Sequence, residues 1–235
     1  MQRKADFGGI VEETFTLAGE AFVYLLGFVI VVGGLAAVGE IGGGTDPSQL
    51  WGFGVAFNAD TTVWGVIAAL AAIVAQIVGG YLVLERMLEL RGRLNSAGMR
   101  IWAYLGLSIL TGLGTILGLV LLIVPGLILM VRWSAAPAFL IGRNMTVDDA
   151  MRESWVATKG HGWPIFFAGL VCFLLAVVPV VVITGIADFA DAGRVGAAIG
   201  SGFADATTSV LSFPFAIAVF VLLDEGVEEI EQVFA

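Results

Sequence analysis

Few side chains in this sequence have the type and spacing that covalent or acid–base chemistry needs. The one histidine, His161, stands between Gly160 and Gly162, with no second histidine and no HExxH pattern, so it cannot assemble a zinc site of the usual ligand count. Ser201, in Gly200-Ser201-Gly202, could act as a nucleophile only beside a base that takes its proton. In the topology derived below it lies across the membrane from His161. The single cysteine, Cys172, excludes an internal disulfide and reads as a small packing residue in an apolar run. No glycine-rich loop carries a lysine and a hydroxyl in P-loop order, and no predicted span holds a carboxylate in its interior. These patterns predict no enzyme, no metal site and no cofactor.

The charged residue that stands out is Arg132. It lies seven residues beyond Pro125, about 10 Å along a helix that the hydropathy places in the membrane. An isolated charge there costs about 2.5 to 3.5 kcal/mol on insertion scales, so it must face the bundle, a water pocket or a carboxylate. Glu85, at the end of the second span, and Glu40, at the end of the first, are its expected partners, with Gln76 joining by hydrogen bonding. Two roles remain open for Arg132: a structural ion pair or snorkelling side chain, and an anion or lipid-headgroup site.

The elements that must position these residues follow from composition. Of 235 residues, 59% are hydrophobic and 13% charged, and the mean hydropathy is +0.98. A soluble domain is roughly half apolar and a quarter charged, so hydrocarbon is the expected solvent. The net charge of −9 argues against a nucleic-acid partner held by phosphate neutralisation. A bilayer core needs about 20 apolar residues as helix, and the runs 21–38, 63–84, 164–186 and 206–223 meet that need. Residues 101–142 form one further run, about 63 Å long if straight, which is twice the core thickness. Val124-Pro125-Gly126 is expected to turn it back as a hairpin of spans 101–123 and 126–142. The expected architecture is all-α, a single integral membrane domain over 1–235 with six transmembrane helices.

Lysine and arginine set the orientation. Arg3 and Lys4, then Arg86, Arg91, Arg93 and Arg100, then Arg143, Arg152 and Lys159 fall on one side, against Arg194 on the other. Both termini are therefore expected in the cytoplasm, with the acidic run Asp224-Glu225-Gly226-Val227-Glu228-Glu229 on the same side. Met1 to Lys4 lead into an acidic stretch instead of a short apolar core with a cleavage site, so the first apolar segment is expected to stay in the mature protein. Trp64, Trp102, Trp155 and Trp163 fall where indole rings favour the membrane interface.

Two segments are too polar to span yet have an apolar stripe at helical spacing. Over 146–159 the stripe is Val147, Ala150, Met151, Trp155 and Thr158, with Thr146 and Asp149 spaced as a capping box; over 7–19 it is Phe7, Ile10, Val11, Phe15 and Ala18. Both are expected to lie as amphipathic helices at the cytoplasmic interface. Each precedes a span, and Glu13-Thr14-Phe15 matches Glu153-Ser154-Trp155 at an offset of 140, which points to a parallel internal repeat. Small residues line two spans, Gly114 and Gly118 in the third and Ala68, Ala72, Ala75 and Gly79 in the second, and predict close helix packing. Pro137, Pro179 and Pro214 are expected to kink the helices that hold them.

The run Leu121-Leu122-Ile123-Val124-Pro125-Gly126-Leu127, followed by Val131-Arg132-Trp133-Ser134-Ala135-Ala136-Pro137-Ala138 and Ala150-Met151-Arg152-Glu153-Ser154-Trp155, resembles the glycerophosphoryl diester phosphodiesterase membrane domain family and the related YciC-type inner-membrane proteins. The resemblance covers nearly the whole chain and implies a bacterial helical membrane protein of about six spans. The phosphodiesterase of fused members needs a separate soluble barrel, for which six spans and two surface helices leave no room. The resulting expectation is a non-catalytic scaffold, accessory or lipid-interacting protein of the bacterial cytoplasmic membrane. A carrier of a small or amphiphilic solute, using a polar pocket around Arg132 and Gln76, is the alternative. Its expected partners are the lipid bilayer, other membrane proteins or a second copy of the chain.

Overall fold

A computed structural model describes residues 5–43, 62–95, 98–189 and 193–234. Arg3 and Lys4, and the side chains of Arg194, Glu225, Glu228 and Glu229, lie outside the described residues. Among the described residues there are ten α-helices and no strand: α1 (Phe7–Glu20), α2 (Phe22–Ile41), α3 (Val63–Leu90), α4 (Ile101–Leu121), α5 (Ile123–Trp133), α6 (Ala136–Gly142), α7 (Val147–Ala157), α8 (Gly162–Phe189), α9 (Gly193–Val210) and α10 (Ser212–Phe234). Six segments are long and apolar enough to cross a membrane: Phe22–Ile41, Val63–Leu90, Ile101–Leu121, Ile123–Gly142, Gly162–Gly185 and Val195–Asp224. Their large apolar side chains are extensively exposed, as on α4, where Trp102, Ile109, Leu113, Leu117 and Val120 share one face. That face suits lipid tails, since water would penalise it.

By its contacts the chain divides into two compact units, one of residues 1–21, 81–172 and 212–235, the other of residues 22–80 and 173–211. In the first, α4 and α5 form the expected hairpin, but the reversal falls at Leu122 and not at Val124-Pro125-Gly126. Leu122 is extended, with φ −159° and ψ 135°, and α5 starts immediately after it. Pro125 is thereby in the first turn of α5, where a missing N–H removes no helical bond. Gly126 serves close approach: a Cβ there would sit 2.6 Å from the backbone nitrogen of Leu119. Gly118 faces Gly126 in the same way, and Gly114 lies against the indole of Trp133.

The fourth span is not one helix. It breaks at Ser134 and Ala135, with Pro137 in the first turn of α6. The break leaves carbonyls at the end of α5 without helical donors, and α7 supplies one: Ser154 Oγ donates to the Arg132 carbonyl at 2.7 Å. This bond accompanies the burial of Ala150, Ser154 and Thr158 on one side of α7, while Trp155, expected at the membrane interface, is exposed. In α1 the buried side is Ile10, Glu13, Thr14 and Leu17, while Phe7 and Phe15 of the apolar stripe are exposed. α1 uses its buried side against α10.

The internal repeat has a structural counterpart. Asp6 caps α1 by accepting from the Gly9 N–H at 2.8 Å, and 140 residues later Thr146 caps α7 by accepting from the Asp149 N–H at 3.3 Å. The same offset relates the helix starts Phe7 and Val147, the buried pairs Ile10 with Ala150 and Thr14 with Ser154, and the starts of the following spans, Phe22 and Gly162.

The second unit is built on close approach of α2 to α3 and α9. A Cβ on Gly39 would lie 3.2 Å from the Ala69 backbone nitrogen, and one on Gly79 would lie 3.0 Å from the Phe28 ring. Ala68 is buried, while Ala72 and Ala75 are half-buried. On the other side Gly202 meets the backbone of Gly33 and Ala37, each at 2.7 Å from a Cβ placed on it. The sixth expected span, 206–223, falls inside the apolar segment Val195–Asp224, which extends it at its N-terminal end. The apolar part of α10 ends at Leu223 and is only about 18 Å long, short of the roughly 30 Å core. The segment long and apolar enough to cross starts at Val195 and contains a break at Leu211, three residues before Pro214. It therefore contains Asp205, a carboxylate inside a span where none was expected. Pro179, by contrast, lies within the continuous helix α8.

Candidate functional site

Arg132 does not meet its expected partners. Its guanidinium lies 5.5 Å from the centre of the Trp155 ring and donates to Thr158 Oγ1 at 3.4 Å and to the Trp155 carbonyl at 3.5 Å, all at the C-terminal turn of α7. A cation there is favoured by the helix dipole and by the indole face. Glu40 instead accepts from Ser201 Oγ, and Gln76 Nε2 donates to Ser209 Oγ at 3.3 Å, both within the second unit. Glu85 is half-buried on α3. Trp64, Trp102 and Trp163 stand exposed near the starts of α3, α4 and α8, and Trp155 is exposed on α7. His161 lies ahead of α8, where its carbonyl accepts from the Ile165 N–H; its buried Nδ1 has no hydrogen-bond partner in the structure.

A denser group of charges lies in the first unit, at residues that in the sequence count only toward orientation. The connection from α3 to α4 and the one from α6 to α7 are tied together. The Asn95 N–H donates to the Gly142 carbonyl at 3.0 Å, and Arg100 donates to Asn144 Oδ1 at 2.9 Å and to the Met145 carbonyl at 2.7 Å. Gly142 makes this approach possible, because a Cβ on it would lie 3.1 Å from the Arg93 carbonyl oxygen. Gly92 and Asn144 turn the two connections with φ of +65° and +54°. Glycine bears such a φ freely, and asparagine is among the few other residues that adopt it.

Between these connections and α10 lies an open cleft of about 590 Å³, lined by Arg93, Asn95, Arg143, Met145, Phe220 and Asp224 among others. Asp224 is at its base, with a side chain only 5% exposed. It accepts from Arg93 at 2.9 Å through one oxygen and from Arg143 through the other, and those two side chains are 24% and 39% exposed. One buried carboxylate thus fixes two cations that both reach solvent. Arg143 also lies over the Phe139 ring, at 5.3 Å. Alongside, Arg91 donates to Glu13 and to Glu20, each at 2.6 Å, and so ties the connection to α1. Arginines so placed can make charge-assisted hydrogen bonds to an anion, and among the described residues that line the cleft none is a serine, cysteine or histidine.

Asp224 was legible in one respect: it is the first acid after the apolar run Phe213 to Leu223, on the side where the arginines collect. Its pairing with residues 131 and 81 positions away was not. Comparison with protein-family models, with curated proteins and with solved structures finds no match at all.

Proposed function

We propose that the chain is a non-catalytic, lipid-interacting accessory protein of a bacterial cytoplasmic membrane, with both termini on the cytoplasmic side. The observation that carries this reading is the gathering of Arg93, Arg100 and Arg143 around an open cleft at the ends of spans. Basic clefts between spans on the cytoplasmic side suit anionic headgroups. The six apolar segments and the amphipathic helices α1 and α7 are compatible with a role exerted on the bilayer itself. After extraction in mild detergent, mass spectrometry of the purified protein is expected to find anionic phospholipid enriched over its share of the source membrane. Retained lipid with the bulk composition, or none, would sink the reading.

One observation favours the carrier alternative. Ser201, Asp205 and Ser209 recur once per turn on α9, and two of them bond to Glu40 and Gln76 of neighbouring helices. Intramembrane ionisable groups mark solute or ion paths more often than packing alone would require. Cysteines placed at Gln76 and Asp205 in a Cys172→Ser background separate the readings. An accessory protein leaves them unreactive toward a membrane-impermeant maleimide, whereas a carrier labels at both.

A further inference from the structure

We infer that the outward side of α9 around Asp205 is a docking surface for a membrane-spanning helix of another protein, one that carries a lysine or arginine at mid-depth. This surface is independent of the lipid reading above and gives the accessory role a protein partner. Asp205 is exposed, and among the described residues no cation or hydrogen-bond donor meets its carboxylate. It lies inside Val195–Asp224, a segment long and apolar enough to cross a membrane. Two contacts within the second unit fix its level. Three residues before it, Gly202 packs on Gly33 and Ala37 of α2. Four residues after it, about 6 Å along the helix, Ser209 accepts from Gln76, midway along the 28 residues of α3. Asp205 is thus held near the middle of both helices, where a carboxylate facing hydrocarbon is costly until a counter-charge covers it. The spans of this chain have none to spare. The six apolar segments contain two basic residues: Arg86, near the end of α3 and paired with Glu89, and Arg132, engaged by the Trp155 ring and by Thr158. A second copy brings the same two groups, so the complementary charge belongs to a different chain. Thr208, exposed on the same side less than one turn beyond Asp205, donates its hydroxyl to the Ala204 carbonyl at 2.9 Å and keeps oxygen lone pairs for an ammonium or guanidinium. Carboxylate and hydroxyl three residues apart form a compact acceptor pair, and in lipid such interhelical bonds take the place of hydrophobic burial.

The test reconstitutes the full chain in dioleoylphosphatidylcholine vesicles with a dye-labelled transmembrane peptide of leucine and alanine that carries one central lysine. Peptides with leucine or glutamate at that place are the controls, and association is read by energy transfer. The lysine peptide is expected to bind at least about tenfold more tightly than either control, and Asp205→Asn to remove that preference, while Asp205→Glu, which keeps the charge, retains it. Should Asp205→Asn fail to fold, Asp205→Ser carries the same comparison. Equal binding of the three peptides, or a lysine preference that survives loss of the carboxylate, overturns the inference. So does energy transfer between two labelled copies of the chain that Asp205→Asn abolishes, which would make a second copy the occupant. Reaction of Asp205→Cys, in a Cys172→Ser background, with a membrane-impermeant maleimide overturns it as well, because the side chain then faces water. None of these outcomes bears on phospholipid enrichment, so the lipid reading stands or falls separately.

Discussion

Arg91→Ala is expected to destabilise the protein by about 3 to 5 kcal/mol, the usual result of removing one partner from a buried ion pair. Glu13 is 2% exposed on the face of α1 that packs against α10, and Arg91 is 18% exposed, so solvent does little to compensate either charge. Without the guanidinium, Glu13 keeps a buried charge and loses the counter-ion at 2.6 Å, and Glu20, the other acceptor of Arg91, adds a like charge nearby. Much of the loss is the penalty of a buried carboxylate deprived of Arg91, not the value of the pair, and that has a measurable consequence. Arg91→Ala combined with Glu13→Gln should be distinctly more stable than Arg91→Ala alone, because the glutamine is neutral. Thermal unfolding in detergent of the two single variants and the double variant completes the cycle. Equal stability of Arg91→Ala and the double variant would show that the pair is screened and that α1 is held by its apolar residues.

Gly202→Leu is expected to cost at least about 3 kcal/mol, at the upper end of overpacking effects. A Cβ at that position would lie 2.7 Å from the Ala37 nitrogen and 2.7 Å from the Gly33 carbonyl oxygen, and neither backbone atom can rotate aside. α2 and α9 would have to separate, losing the dispersion contacts that hold helices together where lipid tails offer no hydrophobic driving force. Gly34→Leu is the control, since a Cβ at that neighbouring glycine meets nothing within 4 Å. Loss of the folded, monodisperse peak in detergent is expected for Gly202→Leu and its retention for Gly34→Leu. Similar behaviour of the two variants would overturn the account of this interface.

Gly202 also shows where reading a sequence stops. Gly33 and Ala37 carry the small-residue spacing, but their partner lies in a segment that resembles an extracytoplasmic loop on hydropathy alone, and the Ser201-Gly202 step invites a catalytic reading instead. Arg132 was legible as a charge requiring a partner. Which partner depended on the break at Ser134 and Ala135, because that break frees the Arg132 carbonyl for Ser154 and so brings the end of α7 to the guanidinium. The protein-facing sides of α1 and α7 depend on distant groups in the same way: buried Glu13 and Ser154 are polar residues whose burial is favourable because a distant group satisfies them.

Composition and hydropathy period by themselves determined that the chain is helical, that six segments are long and apolar enough to cross a membrane, and that two short amphipathic helices precede spans. Those properties are local, set by transfer free energy and backbone satisfaction over some 20 residues at a time. Tertiary structure alone decided where the helices break, which small residues touch, and that Arg93 and Arg143 share Asp224. An ion pair or a glycine contact between residues far apart in the chain depends on how connections fold against one another, and no local window carries that free energy.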